Sequence, residues 1–179
     1  AAPTSGQAPV STQAPVSTQA PAAPNATPGV AVRVTGPGPQ RVDRRATELS
    51  ALALEIEVSA ASTLTRVRVR AEGSLDDLAD VRTARLALDL DGNGRFDRAL
   101  DRVISTEGFT QDDGTLEFPL NEPLTLAQPL QLVVALDLSG SARLQSTLRL
   151  RLDADALTLA SGPVLIVAAA GPQLVVGDW

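Results

Sequence analysis

The chain of 179 residues has no Cys, His, Met, Tyr or Lys, and all fifteen of its basic residues are Arg. Each absence removes a chemistry. Without His, Cys or Lys, the common general base, the thiol nucleophile and the Schiff-base amine are missing. A Ser-His-Asp triad and a His/Cys zinc site are excluded within one chain. Only a carboxylate pair of the glycosidase kind remains for catalysis. Such sites sit among aromatic platforms, and this chain has only Phe96, Phe109, Phe118 and Trp179. The expectation is a protein that is not an enzyme.

Charge and hydropathy narrow the classes further. The formal net charge of −6 opposes a nucleic-acid partner, whose phosphates require a basic face. No apolar run approaches the ~20 residues of a membrane span; the longest, Val164 to Ala170, is far shorter. The first residues, Ala1-Ala2-Pro3-Thr4-Ser5-Gly6, have the small-residue character found just after an export cleavage site. The expected location is extracellular, at the cell surface.

Residues 1–29 form a low-complexity tail of Ala, Pro, Ser, Thr and Gln. Ala-Pro recurs at 2–3, 8–9, 14–15 and 20–21, and Gln7, Gln13 and Gln19 keep the same period of six. Six is a multiple of two and of three, so the repeat presents one face either as a strand or as a polyproline II helix. Regular Pro excludes a helix and permits edge pairing only. Extended at ~3.1 Å per residue, the tail reaches about 90 Å, well past its own domain. It also suits a glycosylated stalk, and Asn25-Ala26-Thr27 fits the N-glycosylation triplet.

From residue 30 the pattern alternates with period two. Leu52, Leu54, Ile56 and Val58 share one face, with Glu55 and Glu57 opposite. Thr65, Val67, Val69 and Ala71 share a face, with Arg66, Arg68 and Arg70 opposite. These two runs predict a hairpin pairing Ile56 with Val67 and Leu54 with Val69, and an outer ladder of Glu57–Arg66 and Glu55–Arg68. Further strands are expected around Leu86–Leu90, Leu130–Leu138 and Leu148–Leu152, separated by Gly- and Asp-rich turns. Only residues 74–80 read as helix, capped by Ser74 with Asp77 as the capping-box acid.

The fold class that follows is all-β: an antiparallel β-sandwich, Ig-like or jelly-roll, with an extended N-terminal tail. The expected organisation is a tail at 1–29, a candidate donor strand and linker at 30–40, and the sandwich at 41–179. The apolar run 163–179 fits a strand of the domain's own sheet or one that completes a neighbour's.

One stretch carries ion chemistry. In Leu88 to Asp101, Asp89, Asp91, Asn93 and Gly94 reproduce the D-x-[DN]-x-[DN]-G head of an EF-hand-type calcium loop. Oxygens at alternate positions wrap a hard cation, and Gly permits the sharp turn. Arg95 would offer its backbone carbonyl and Asp97 its side chain, the latter through water. The closing carboxylate is absent at Leu100 and present one residue later at Asp101. Candidate metal ligands are therefore Asp89, Asp91, Asn93, Arg95, Asp97 and Asp101, and the expected ion is Ca2+. The competing reading is an ordinary turn, since Asp-Gly and Asn-Gly are favoured turn dipeptides.

That loop, with the following "GFTQDDGTLEFPLNEPLTL" and "LQLVVALDLSG", resembles β-sandwich modules of secreted bacterial surface proteins with a dockerin-like turn. The similarity covers about residues 48–160. It implies stalk, adhesion or assembly domains. Together with the tail it suggests a structural subunit of an extracellular, pilus-like filament, with other copies of itself as partners. Assembly would resemble donor-strand pili, with the donor drawn from residues 1–35. The alternative is a calcium-stabilised adhesion or carbohydrate-binding module on a glycosylated stalk, using Phe109 or Trp179 as sugar platform.

Overall fold

A computed structural model describes residues 29–36, 38–162, 164–168 and 170–177. Two sheets pack face to face, as the alternating pattern predicts. The first is built from β1 (Val30–Thr35), β3 (Leu49–Val58), β5 (Val81–Asp89), β6 (Arg102–Glu107), β8 (Leu130–Leu138) and β11 (Val164–Ala168), in the order β11-β1-β3-β8-β5-β6. The second contains β2 (Gln40–Asp43), β4 (Ser62–Gly73), β7 (Thr115–Leu126), β9 (Thr147–Arg151), β10 (Leu157–Leu159) and β12 (Ala170–Gly177). Its order is β10-β4-β9-β12-β2, with β7 also paired to β4.

The core lies between the sheets and is built of Leu, Val, Ile and Ala around Phe118, which is fully buried. Most pairs are antiparallel, as expected. Two are parallel: β1 with β11, and β2 with β12. Parallel neighbours need a long crossover. Here the body of the domain is that crossover, because the first strands lie beside the last. The terminal apolar run thus supplies two strands to two sheets, not one continuous strand.

The predicted hairpin is not formed. β3 pairs with β1 and β8 in the first sheet, while β4 pairs with β7, β9 and β10 in the second. The three residues Ser59–Ala61 carry the chain from one sheet to the other. The physical reason is burial. A two-stranded ribbon leaves its apolar face to water, whereas here Leu52, Leu54 and Ile56 join Leu64, Val67 and Val69 in one core. The Glu/Arg ladder survives with other partners. Arg33 lies opposite Glu55 at 3.9 Å, and Arg68 pairs with Glu117 at 3.0 Å and with Asp155 at 2.5 Å. A bulge between Leu64 and Arg66 also shifts the buried set, so Leu64 points inward where Thr65 was expected.

The short helix α1 (Asp77–Asp80) is capped by Asp76, whose Oδ1 accepts the Ala79 amide at 2.9 Å. Ser74, the expected cap, instead ties the end of β4 to β9. Its N–H donates to the Thr147 carbonyl at 2.9 Å, and its Oγ accepts the Thr147 amide at 3.1 Å. The strand Val30–Thr35, set apart in the sequence by Gly36 and Gly38, has two neighbours in its own chain, β3 and β11. Residues 1–28, with their repeat and glycosylation triplet, and Trp179 lie outside the described residues.

Candidate functional site: an acidic loop folded over the first sheet

The loop from Leu90 to Asp101 leaves the end of β5 and returns into β6. A single Phe within this polar run anchors it. Phe96 packs with Ala87, Val133 and Ala135 on the outer face of the first sheet. Its amide donates to Ser50 Oγ at 2.8 Å. This cover buries β8 on both faces and accounts for its nearly continuous apolar sequence.

Anchored in this way, the loop gathers carboxylates at its turn, with Asp89 buried and Asp91 exposed. Asp89, the last residue of β5, is 7% exposed. Its Oδ1 accepts the Gly92 amide at 2.8 Å and its Oδ2 the Gly94 amide at 2.7 Å. Both glycines have φ near +70°, a left-handed conformation that side chains rarely adopt. Asp91 accepts from the Asn93 amide at 3.2 Å and from its Nδ2 at 2.7 Å, and Asn93 Oδ1 accepts the Arg95 amide at 2.6 Å. Asp101 closes the loop: Oδ1 accepts the Leu90 amide at 3.0 Å and Oδ2 the Asp97 amide at 2.7 Å.

Of the six candidates, Asp89, Asp91 and Asp101 are brought together, with one carboxylate oxygen from each inside a 4.8 Å cluster. Asp101 therefore takes the closing place that Leu100 cannot, and Leu100 is exposed. Asp97 stands outside the cluster and uses Oδ1 to accept the Ala99 amide at 2.8 Å. Asn93 and Arg95 shape the turn through the bond between them. Burial pushes the Asp89 carboxyl above its ordinary range, and the neighbouring Asp91 and Asp101 push in the same direction. Two glycine amides oppose that rise. An open hollow of about 390 Å3 between Gly92–Arg95 and Thr35–Gly36 leaves the loop accessible to water. This oxygen-only cluster could hold a metal ion.

A second acidic group escaped the sequence reading. Asp77, Asp112 and Asp113 also place carboxylate oxygens within 4.8 Å of one another. Its signal was the Gln111-Asp112-Asp113-Gly114 run, read only as a turn. No described helix is long and apolar enough to cross a membrane. No protein-family model and no curated protein matches this chain.

Proposed function

We propose that this chain is a structural subunit of an extracellular, pilus-like filament whose copies join by strand addition. The observation that carries the reading is the edge of the first sheet. β11 has β1 on one side and, among the described residues, no strand on the other. Its sequence, Val-Leu-Ile-Val-Ala, carries no charge and no Pro, and Leu165 is 48% exposed.

Edge strands are normally blunted against such pairing. The other edges here are: β2 is four residues with Arg41 and Asp43, and β10 is three residues. β6 carries Arg102 and Glu107, and β7 carries Pro119 and Pro123. Against that background the open, uncharged β11 is a template for a strand from another copy. The tail, attached beside it through β1, is the donor, and its Pro residues suit one-sided pairing. Repetition without closure gives a fibre. The Asp89 loop contributes stability to the subunit by binding Ca2+.

The adhesion reading is less favoured. Phe96, Phe109 and Phe118 are all buried, so none of them offers a face to a sugar.

Electron microscopy and sedimentation of the full chain test the proposal. Fibres are expected from the wild type, and monomers from Leu165→Lys or from a chain lacking residues 1–28. A wild type that stays monomeric at every concentration, or a Leu165→Lys variant that assembles like it, would sink the reading.

A further inference from the structure

We propose that Asp77, Asp112 and Asp113 form a second site for a hard divalent cation of the calcium type, at the opposite end of β5 from the Asp89 loop. β5 spans Val81–Asp89, so the two clusters are separated by a strand of about 27 Å.

The fold itself supplies the scaffold. Asp77 opens α1, immediately before β5, and its amide donates to Asp112 Oδ1 at 3.0 Å. Asp112 and Asp113 sit on the turn leading into β7. Phe109 roots that turn in the core, and the Gly114 carbonyl accepts the Ala71 amide at 3.0 Å. A Cβ on Gly114 would lie 2.7 Å from the Gln111 carbonyl oxygen, so the turn has no slack. Asp113 adopts φ +49°, which turns this segment back on α1.

The pointer to a ligand is Asp77 itself. It is 1% exposed, yet neither carboxylate oxygen has a hydrogen-bond partner among the described residues. The Asp113 amide lies near enough to favour the charged form but does not reach hydrogen-bonding geometry. A buried carboxylate without partners is costly. Asp112 and Asp113 stand beside it, and their negative charges repel its own. A divalent cation bound by the three carboxylates removes both the repulsion and the unmet acceptors. Oxygen-only ligands select a hard ion, and a site with two exposed members keeps room for water in a Ca2+ shell of six to eight oxygens. A hollow of about 350 Å3, lined also by Asp80, Ser141 and Arg143, opens beside Asp112.

Calorimetric titration of the chelator-stripped full chain with calcium chloride, read beside amide NMR shifts, tests this. The Asp112→Asn/Asp113→Asn double variant changes exposed residues only. It is expected to bind one equivalent fewer than the wild type, while the Gly92 and Gly94 amides still respond. Asp77→Asn should lose the same equivalent. In the wild type the Asp113 and Gly114 amides should shift on adding calcium. Unchanged stoichiometry in the double variant, or silent Asp113 and Gly114 amides, would overturn the site. A response to magnesium chloride and none to calcium would overturn the assignment of the ion.

Discussion

Arg85 donates from Nη2 to Asp137 Oδ2 at 2.7 Å, joining β5 to β8 on the outer side of the first sheet. Asp137 also accepts the Glu48 amide at 2.8 Å, and Glu48 in turn meets Arg98 of the acidic loop at 2.5 Å. The pair is largely buried, so both ions depend on each other.

The guanidinium of Arg85 holds the Asp137 carboxyl below its ordinary value of 3.8. A lowered native pKa means that the unfolded chain takes up protons first as the solution is acidified. The pair's stabilisation is therefore present above pH 3.8 and lost as pH falls through the lowered native value. Asp137→Asn should cost about 3 kcal/mol at neutral pH, because Arg85 is left without its ion. Melting curves of both proteins from about pH 5 down to about pH 2 should converge. A constant gap would show that the carboxylate charge is not what Asp137 contributes.

Calcium at the Asp89 loop should shift the Gly92 and Gly94 amide resonances, whose N–H groups now bond Asp89. Asp101→Asn should abolish the shifts. Asp97→Asn should leave them, because Asp97 lies outside the carboxylate cluster. At a hundred times the dissociation constant, the bound ion adds about 2.7 kcal/mol and raises the melting temperature. If Asp97→Asn removes the response and Asp101→Asn does not, Asp97 is the ligand and Asp101 is not.

Phe96→Ala removes the side chain that seats the loop on Ala87, Val133 and Ala135. A loss of about 3 kcal/mol is expected from denaturant titration. The Ca2+-induced amide shifts should weaken in the same variant, since the cluster would no longer be held. A variant as stable as the wild type would mean that the loop is held by its hydrogen bonds alone.

Gly73→Ala tests the crossing from β4 to β9. Gly73 has φ +150°, and a Cβ there would lie 2.0 Å from the Thr147 carbonyl oxygen. Strain and displacement together should cost at least about 3 kcal/mol, read as a lowered melting temperature. Near-wild-type stability would show that the Ser74–Thr147 junction yields easily.

Much of the fold was legible in the residues. The alternation of Leu52, Leu54 and Ile56, of Val67 and Val69, and of Leu148 and Leu150 marked buried faces, and all of these are buried. The spacing of Asp89 and Asp91, with Asp101 as the displaced closing acid, anticipated three side chains that meet. These signals are local: period two sets the face of a strand, and Gly at a turn sets the curl of a loop.

Sheet membership was not local. The register that paired Ile56 with Val67 satisfied both faces on paper, yet those strands lie in different sheets, because only a sandwich covers both apolar faces at once. Asp77 is the clearest case. Its sequence position reads as the capping-box acid of a helix capped by Ser74, whereas the cap is Asp76 and Asp77 is the first helical residue, buried beside Asp112 and Asp113. Asp112 and Asp113 are thirty-five and thirty-six residues further along, in an ordinary-looking turn. The composition determined an oxygen-only chemistry without His, Cys or Lys, and the period-two alternation determined a β-rich fold. Tertiary packing decided which acids share a site, because electrostatic repulsion between carboxylates depends on distance in space and burial, neither of which is written in chain order.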